Sequence, residues 1–166
     1  MNPDEQQTPT LKRIRFLLLL FIVGLVFSGA TAIPLVTEIK NLPPILSWLG
    51  IDEPSGAYVW IEKIKQALVE MNARYPFMAY GTDWLAFAHF VIAIAFIGPW
   101  RDPARNVWVI DFGMIACLLV VPFAFIMGEV RGIPIGWRLI DCSFGVLGII
   151  PLWICRREIE KLKPKA

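Results

Sequence analysis

Glu38, Asp83, His89, Asp111, Glu129, Arg131, Arg138 and Asp141 lie in or beside stretches of the chain that are otherwise apolar. Ionisable groups are costly in a hydrocarbon setting, so each needs a partner or a purpose. His89 is the only histidine, and it sits on the order of 9 Å inside an apolar block at about 1.5 Å per residue. A pocket walled by His89, Glu129, Arg138 and Asp141 could protonate, bind or move a small polar or amphipathic molecule. In an acid–base enzyme, His89 would give or take the proton, and Glu129 or Asp141 would stabilise positive charge. The structural alternative makes Arg138–Asp141 and Arg131–Glu129 local ion pairs at helix ends. Asp83 and Asp111 would then sit near helix N-termini, where the dipole favours a carboxylate, and His89 would bond to a neighbouring helix.

Other chemistries lack their residues. No Walker loop, G-x-S-x-G, H-E-x-x-H or dinucleotide glycine pattern occurs,. Cys117, Cys142 and Cys155 are scattered without a C-x-x-C pair, which suggests neither a zinc site nor a disulfide framework. One histidine cannot supply both axial ligands of a haem, although a homodimer could. The sequence therefore names no metal and no cofactor.

These residues are carried by four apolar blocks, Phe16–Val36, Trp84–Trp100, Val107–Met127 and Leu139–Cys155. A bilayer-crossing helix needs roughly 17–25 mostly apolar residues, and all four blocks fit. Hydrophobic residues make up 57% and charged residues 18%, against about 45–50% and 25% in soluble domains. The expected fold is an all-α integral membrane protein, an antiparallel four-helix bundle with an extra amphipathic helix in a long first external loop. Residues 1–15 form an N-terminal tail, disordered over Met1–Thr10. Residues 16–155 form the membrane domain, and 156–166 form a basic amphipathic tail.

Orientation follows from the cations. Lys12, Arg13, Arg15, Arg101, Arg105, Arg156, Arg157, Lys161, Lys163 and Lys165 flank one side of the spans. Lys40, Lys63, Lys65, Arg74, Arg131 and Arg138 flank the other, most of them in the long loop, which weighs less,. Both termini are expected in the cytoplasm, with the chain in a plasma (inner) membrane. Trp84, Trp100, Trp108, Trp137 and Trp153 mark span ends, where amphipathic rings prefer the headgroup layer,. Lys12–Arg15, the run to Ser28 and Ala30-Thr31-Ala32 also resemble a cleaved signal peptide. The apolar run continues to Val36, however, and about fifteen residues precede it; retention is the expectation. The basic residues form no stripe, so nucleic acid is not an expected partner.

Loop 37–83 should hold structure of its own. Pro44–Leu49 reads as a short apolar turn. Across Ala57–Arg74, Trp60, Ile64, Leu68 and Met71 recur at helical spacing opposite Glu62, Lys63, Lys65, Gln66, Glu70 and Asn72,. This predicts an amphipathic helix on the outer membrane surface or capping the bundle. Pro34 should kink or end the first span. Asp102-Pro103 predicts a turn, with Asn106 as a helix cap. Gly24, Ser28 and Ala32 form a small-residue row, and Gly145 and Gly148 share a face with Arg138 and Asp141,.

The layout of four spans, a long first external loop and a lysine-rich tail is similar to that of the EXPERA-type sterol isomerases. The resemblance implies acidic residues working inside a bundle, a part for which His89, Glu129 or Asp141 would be cast. The first reading from the residues is different: a membrane protein without enzyme activity of its own. It would be an assembly partner of a membrane protein or of its own copy, or would bind a lipid-like molecule. The alternatives are a membrane-embedded isomerase and a small proton-coupled transporter.

Overall fold

The computed structural model describes residues 3–51 and 55–162, apart from the side chains of 3–8. All regular structure among them is helical: α1 Pro3–Ala32, α2 Leu35–Trp48, α3 Gly56–Arg74, a 3-10 turn Pro76–Ala79, α4 Tyr80–Ala95, α5 Ile97–Arg101, α6 Val107–Val130 and α7 Ile135–Leu162. Four helical stretches are long and apolar enough to cross a membrane: Pro9–Ala32, Pro76–Arg101, Val107–Val130 and Ile135–Leu162. Backbone packing divides the chain into two compact units, one holding residues up to Gly24 and from Ile92 onward, the other Leu25–Val91.

In the first unit, α6 and α7 form a hairpin whose close approach depends on glycine. A Cβ on Gly145 would lie 2.5 Å from the Cys117 carbonyl oxygen, and one on Gly148 would lie 3.0 Å from the Cys117 sulfur. Gly113 leaves room for the Phe96 ring and Leu152. Asp111 near the start of α6 meets Arg156 near the end of α7, while Glu129 at the end of α6 meets Arg138 at the start of α7. Phe96 is fully buried and stacks at a tilt on Phe21 of α1, ring centroids 4.7 Å apart.

Several boundaries differ from the sequence reading. Helix α1 begins at Pro3, where disorder was expected through Thr10. Proline suits a first helical position because its missing N–H would be unsatisfied there anyway. Met1 and Asn2 lie outside the described residues. Helix α7 runs without a break to Leu162, and Glu158 and Ile159 are buried, so the basic segment to Leu162 is packed helix; Lys163–Ala166 lie outside the described residues. Asn106 stands at the α6 N-cap position without a capping bond. Its amide instead donates to the carbonyls of Gly98 and Asp102, which also accept the backbone N–H groups of Asp102 and Asn106. Pro99 has no N–H to reach Ala95, which accounts for the interruption between α4 and α5,.

In the second unit, Pro34 ends α1 and its carbonyl accepts from Thr37 and Glu38 to start α2. Helix α2 then passes through Pro43-Pro44, where only a short helical turn after the prolines, Pro44–Leu49, was expected. Two prolines remove the N–H groups that would bond Ile39 and Lys40. Packing offsets this loss: α2 lies along α3, with Ile39 and Pro43 buried on one helix and Ile61 on the other. Ser55 caps α3 by accepting from the Tyr58 N–H at 3.3 Å. Gly50, at φ +75°, closes α2 with bonds from Gly50 and Ile51 back to Ser47 and Leu46,.

Candidate functional site

Glu129 and Arg138 are brought together, at 2.8 Å. The geometry makes Arg138 a clamp on the α6–α7 turn. Gly132, at φ +64°, reverses the chain, and Gly132 and Ile133 donate back to Glu129 and Gly128,. The Arg138 Nε donates to the Ile133 carbonyl at 2.7 Å, and its methylenes lie over Gly128, where any Cβ would come within 2.6 Å. The Arg138 side chain is 13% exposed and that of Glu129 is 80% exposed. The carbonyl is therefore the sheltered partner, and the carboxylate is a solvent-side one.

The expected Arg138–Asp141 and Arg131–Glu129 pairs do not form. Asp141 is half-buried and, like Arg131, makes no ion pair among the described residues. Spacing of two or three residues along the chain suggested those pairs. The Gly132 reversal decides otherwise by carrying Arg138 back onto the end of α6. His89 belongs to the other unit and bonds within its own helix: Nδ1–H donates to the Leu85 carbonyl at 2.8 Å. The Nε2 lone pair is thus the group that His89 can offer. Beside it, Gly29 of α1 crosses α4 so closely that a Cβ there would sit 3.0 Å from the Ala86 carbonyl oxygen and from the His89 Cβ.

The opposite end of the α6–α7 hairpin holds a charge network. Arg156 bonds Asp111 at 2.8 Å and Glu160 at 2.9 Å. The Glu158 side chain, 9% exposed, is shared by Arg13 of α1 at 3.2 Å and Lys161 at 2.9 Å. Arg15 donates to the carbonyls of Trp100 and Arg101. Asp111 was expected to rest on the α6 dipole; its partner is Arg156. Arg156–Asp111, Arg13–Glu158 and the Arg15 bonds tie separate helices together, while Arg156–Glu160 and Lys161–Glu158 lie within α7.

Open space lies elsewhere. Within the 25–91 unit, a cleft of about 340 Å³ lies between the α1–α2 corner, α3 and the start of α4. Ile33, Val36, Leu68 and Met71 make apolar wall; Thr37, Lys40, Asn72 and Thr82 bring polar groups. None of the four residues expected to line a pocket lines this one. The cleft is not legible in the sequence because Thr37 and Lys40 fall in a stretch that reads as loop ahead of the Pro44–Leu49 turn. As a helix, α2 places Thr37 and Lys40 on one face at i,i+3. Asn72, assigned to the polar side of α3, follows Leu68 by four residues and so shares its face and the cleft,.

Among the described residues, no three His, Cys, Asp or Glu side chains gather to hold a metal ion. Comparison with models of known families, with curated proteins and with solved structures finds no match. The likeness to the sterol isomerases therefore rests on layout alone.

Proposed function

We propose that this chain is a multi-pass protein of the plasma (inner) membrane, without enzyme activity of its own, that binds a lipid-like ligand in the cleft of its 25–91 unit. The carrying observation is that cleft: about 340 Å³, apolar on one part of its wall and polar on another. Small-molecule sites occupy roughly 300–1,000 Å³ and are mostly apolar with a few placed polar groups. Gly24 of the α1 small-residue row has open space around it, but Gly145 and Gly148, which also suggested helix–helix assembly, already meet this chain's own side chains and backbone. That favours ligand binding over the assembly of partners through those faces.

In this reading the four apolar stretches cross the bilayer as an antiparallel bundle with both termini in the cytoplasm. The excess of Lys and Arg beside the termini and the α5–α6 turn supports that orientation,. It puts the cleft on the outer side, roofed by α3 as an amphipathic helix at the membrane surface. Trp60, Ile64, Leu68 and Met71 are half-buried along that helix, while Lys63, Gln66 and Glu70 are exposed.

The test is native mass spectrometry of the protein gently extracted with its lipids, beside Met71→Trp, which fills the cleft, and Gln66→Trp, which does not. A small molecule carried by wild type and Gln66→Trp but lost from Met71→Trp is the expected result. A bare chain, or a ligand indifferent to Met71→Trp, overturns the reading.

A second reading, an acid–base enzyme or proton-coupled transporter, has one observation in its favour. With Nδ1–H engaged by Leu85, His89 offers a fixed Nε2 lone pair to a proton. Abolished turnover or pH-driven flux in a folded His89→Gln protein would support it over the first.

A further inference from the structure

We propose that the ligand of the 25–91 cleft is a single-chain anionic amphiphile, its carboxylate or phosphate head held by Lys40 with Thr37 and Asn72. The inference rests on the reading of the cleft as a binding site and adds the sign and shape of what fills it.

Among the described residues, Lys40 is the only charged one lining the cleft. Among the described residues, the carboxylates of α2, α3 and the start of α4 are engaged or turned away. On α3, Glu62 bonds Lys65 at 2.7 Å and Glu70 bonds Arg74 at 3.3 Å. Glu38 precedes Lys40 by two residues on α2, about 200° around the helix. Asp83 lines a different, smaller hollow with Tyr80, Trp84 and Phe87. Lys40 itself has no ion pair or hydrogen bond among the described residues. Lys40 is solvent-exposed, and an unpaired ammonium beside an apolar wall suits an anion that also has apolar surface to bury.

The polar groups sort by what they can donate. The Thr82 hydroxyl gives its hydrogen to the Ala79 carbonyl at 2.7 Å, so only its lone pairs face the cleft and it cannot serve an anion. Among the described residues the Thr37 hydroxyl and the Asn72 amide keep their donors free,, and with Lys40 they mark the head end. Ile33, Leu68, Met71 and Ala79 are left for the tail. A volume near the small end of the ligand range suits one acyl chain and excludes a two-chain phospholipid as a fully enclosed guest,.

The deciding experiment measures binding of four probes to the full-length protein in neutral detergent: palmitate, palmitoyl lysophosphatidate, monopalmitoylglycerol and inorganic phosphate. Palmitate or the lysophosphatidate should bind at least about tenfold tighter than the neutral glyceride, as expected for a hydrogen bond to a charged group. Inorganic phosphate should be weak. Lys40→Gln should erase the preference, Lys40→Arg should retain it, and Met71→Trp should weaken every amphiphile. Equal binding of charged and neutral amphiphiles, or no change in Lys40→Gln, overturns the charge assignment and leaves the cleft standing. Phosphate binding as tightly as lysophosphatidate overturns the amphiphile. No amphiphile bound, with Met71→Trp silent, overturns the cleft as a site.

Discussion

The α6–α7 hairpin and the α2–α3 corner are both apolar helix pairs with a glycine reversal nearby, yet one is filled and the other holds a cavity. In the hairpin, Gly113, Gly128, Gly145 and Gly148 leave no space for a Cβ, and Cys117 comes against Gly145 and Gly148. Its two ends are tied by arginines that reach backbone carbonyl or carboxylate. Around the corner, Pro34 redirects the chain, α2 runs on through its tandem prolines, and α2 and α3 meet through Ile39, Pro43 and Ile61. No side-chain hydrogen bond between α2 and α3 is seen among the described residues, where the ion pairs of α3 stay within α3. A small-residue seam excludes ligand because no volume is left. A joint made of branched side chains and prolines leaves room beside it.

The sharpest way to break this contrast is Gly145→Val. Its side chain would enter the space of the Cys117 carbonyl, and overpacking of this kind costs about 3 kcal/mol. Unfolding in detergent should register that loss, while Gly136→Ala, with nothing within 4 Å of a Cβ, should change stability by less than about 0.5 kcal/mol. Equal effects would mean that the seam is not what closes the hairpin.

Next in size is Arg138. Arg138→Ala removes the bond to the Ile133 carbonyl and should cost about 2 kcal/mol. Glu129→Gln touches only the solvent-side partner, 80% exposed, and should cost under about 1 kcal/mol. A larger effect from Glu129 would turn the clamp back into an ion-pair site. At the far end, Arg13→Ala should cost about 1 kcal/mol, because Lys161 still holds Glu158. The smallest stability effects belong to the corner. Lys40→Gln should leave unfolding within about 0.5 kcal/mol of wild type while changing ligand selectivity, the reverse of the hairpin variants.

Much of the helical layout was readable in the residues. Long apolar runs and the 3.6-residue rhythm of Trp60, Ile64, Leu68 and Met71 are local properties. The helices they announce are present, with α1 extended back to Pro3, the second block split at Phe96 and α7 extended on to Leu162. The candidate site was not readable. The notable ionisable residues were the rare ones in apolar surroundings, and the structure engages Glu129 and Arg138 with each other and His89 with its own helix. The cleft is lined by ordinary residues. Lys40 and Asn72 gain their meaning from a helix through Pro43-Pro44, whose local signal pointed the other way.

The sequence by itself determined that four segments are long and apolar enough for a bilayer, where chain reversals fall, and which ends carry the positive charge. Those properties sum over neighbouring residues and need no knowledge of distant ones. Only the tertiary structure decided that Arg138 answers to Ile133 and Glu129, that Cys117 rests on Gly145 and Gly148, and that α2 survives its prolines. Each of these depends on contacts between residues that local periodicity cannot pair, and a Cβ or an N–H at one position acquires its cost or value only once the facing surface is in place.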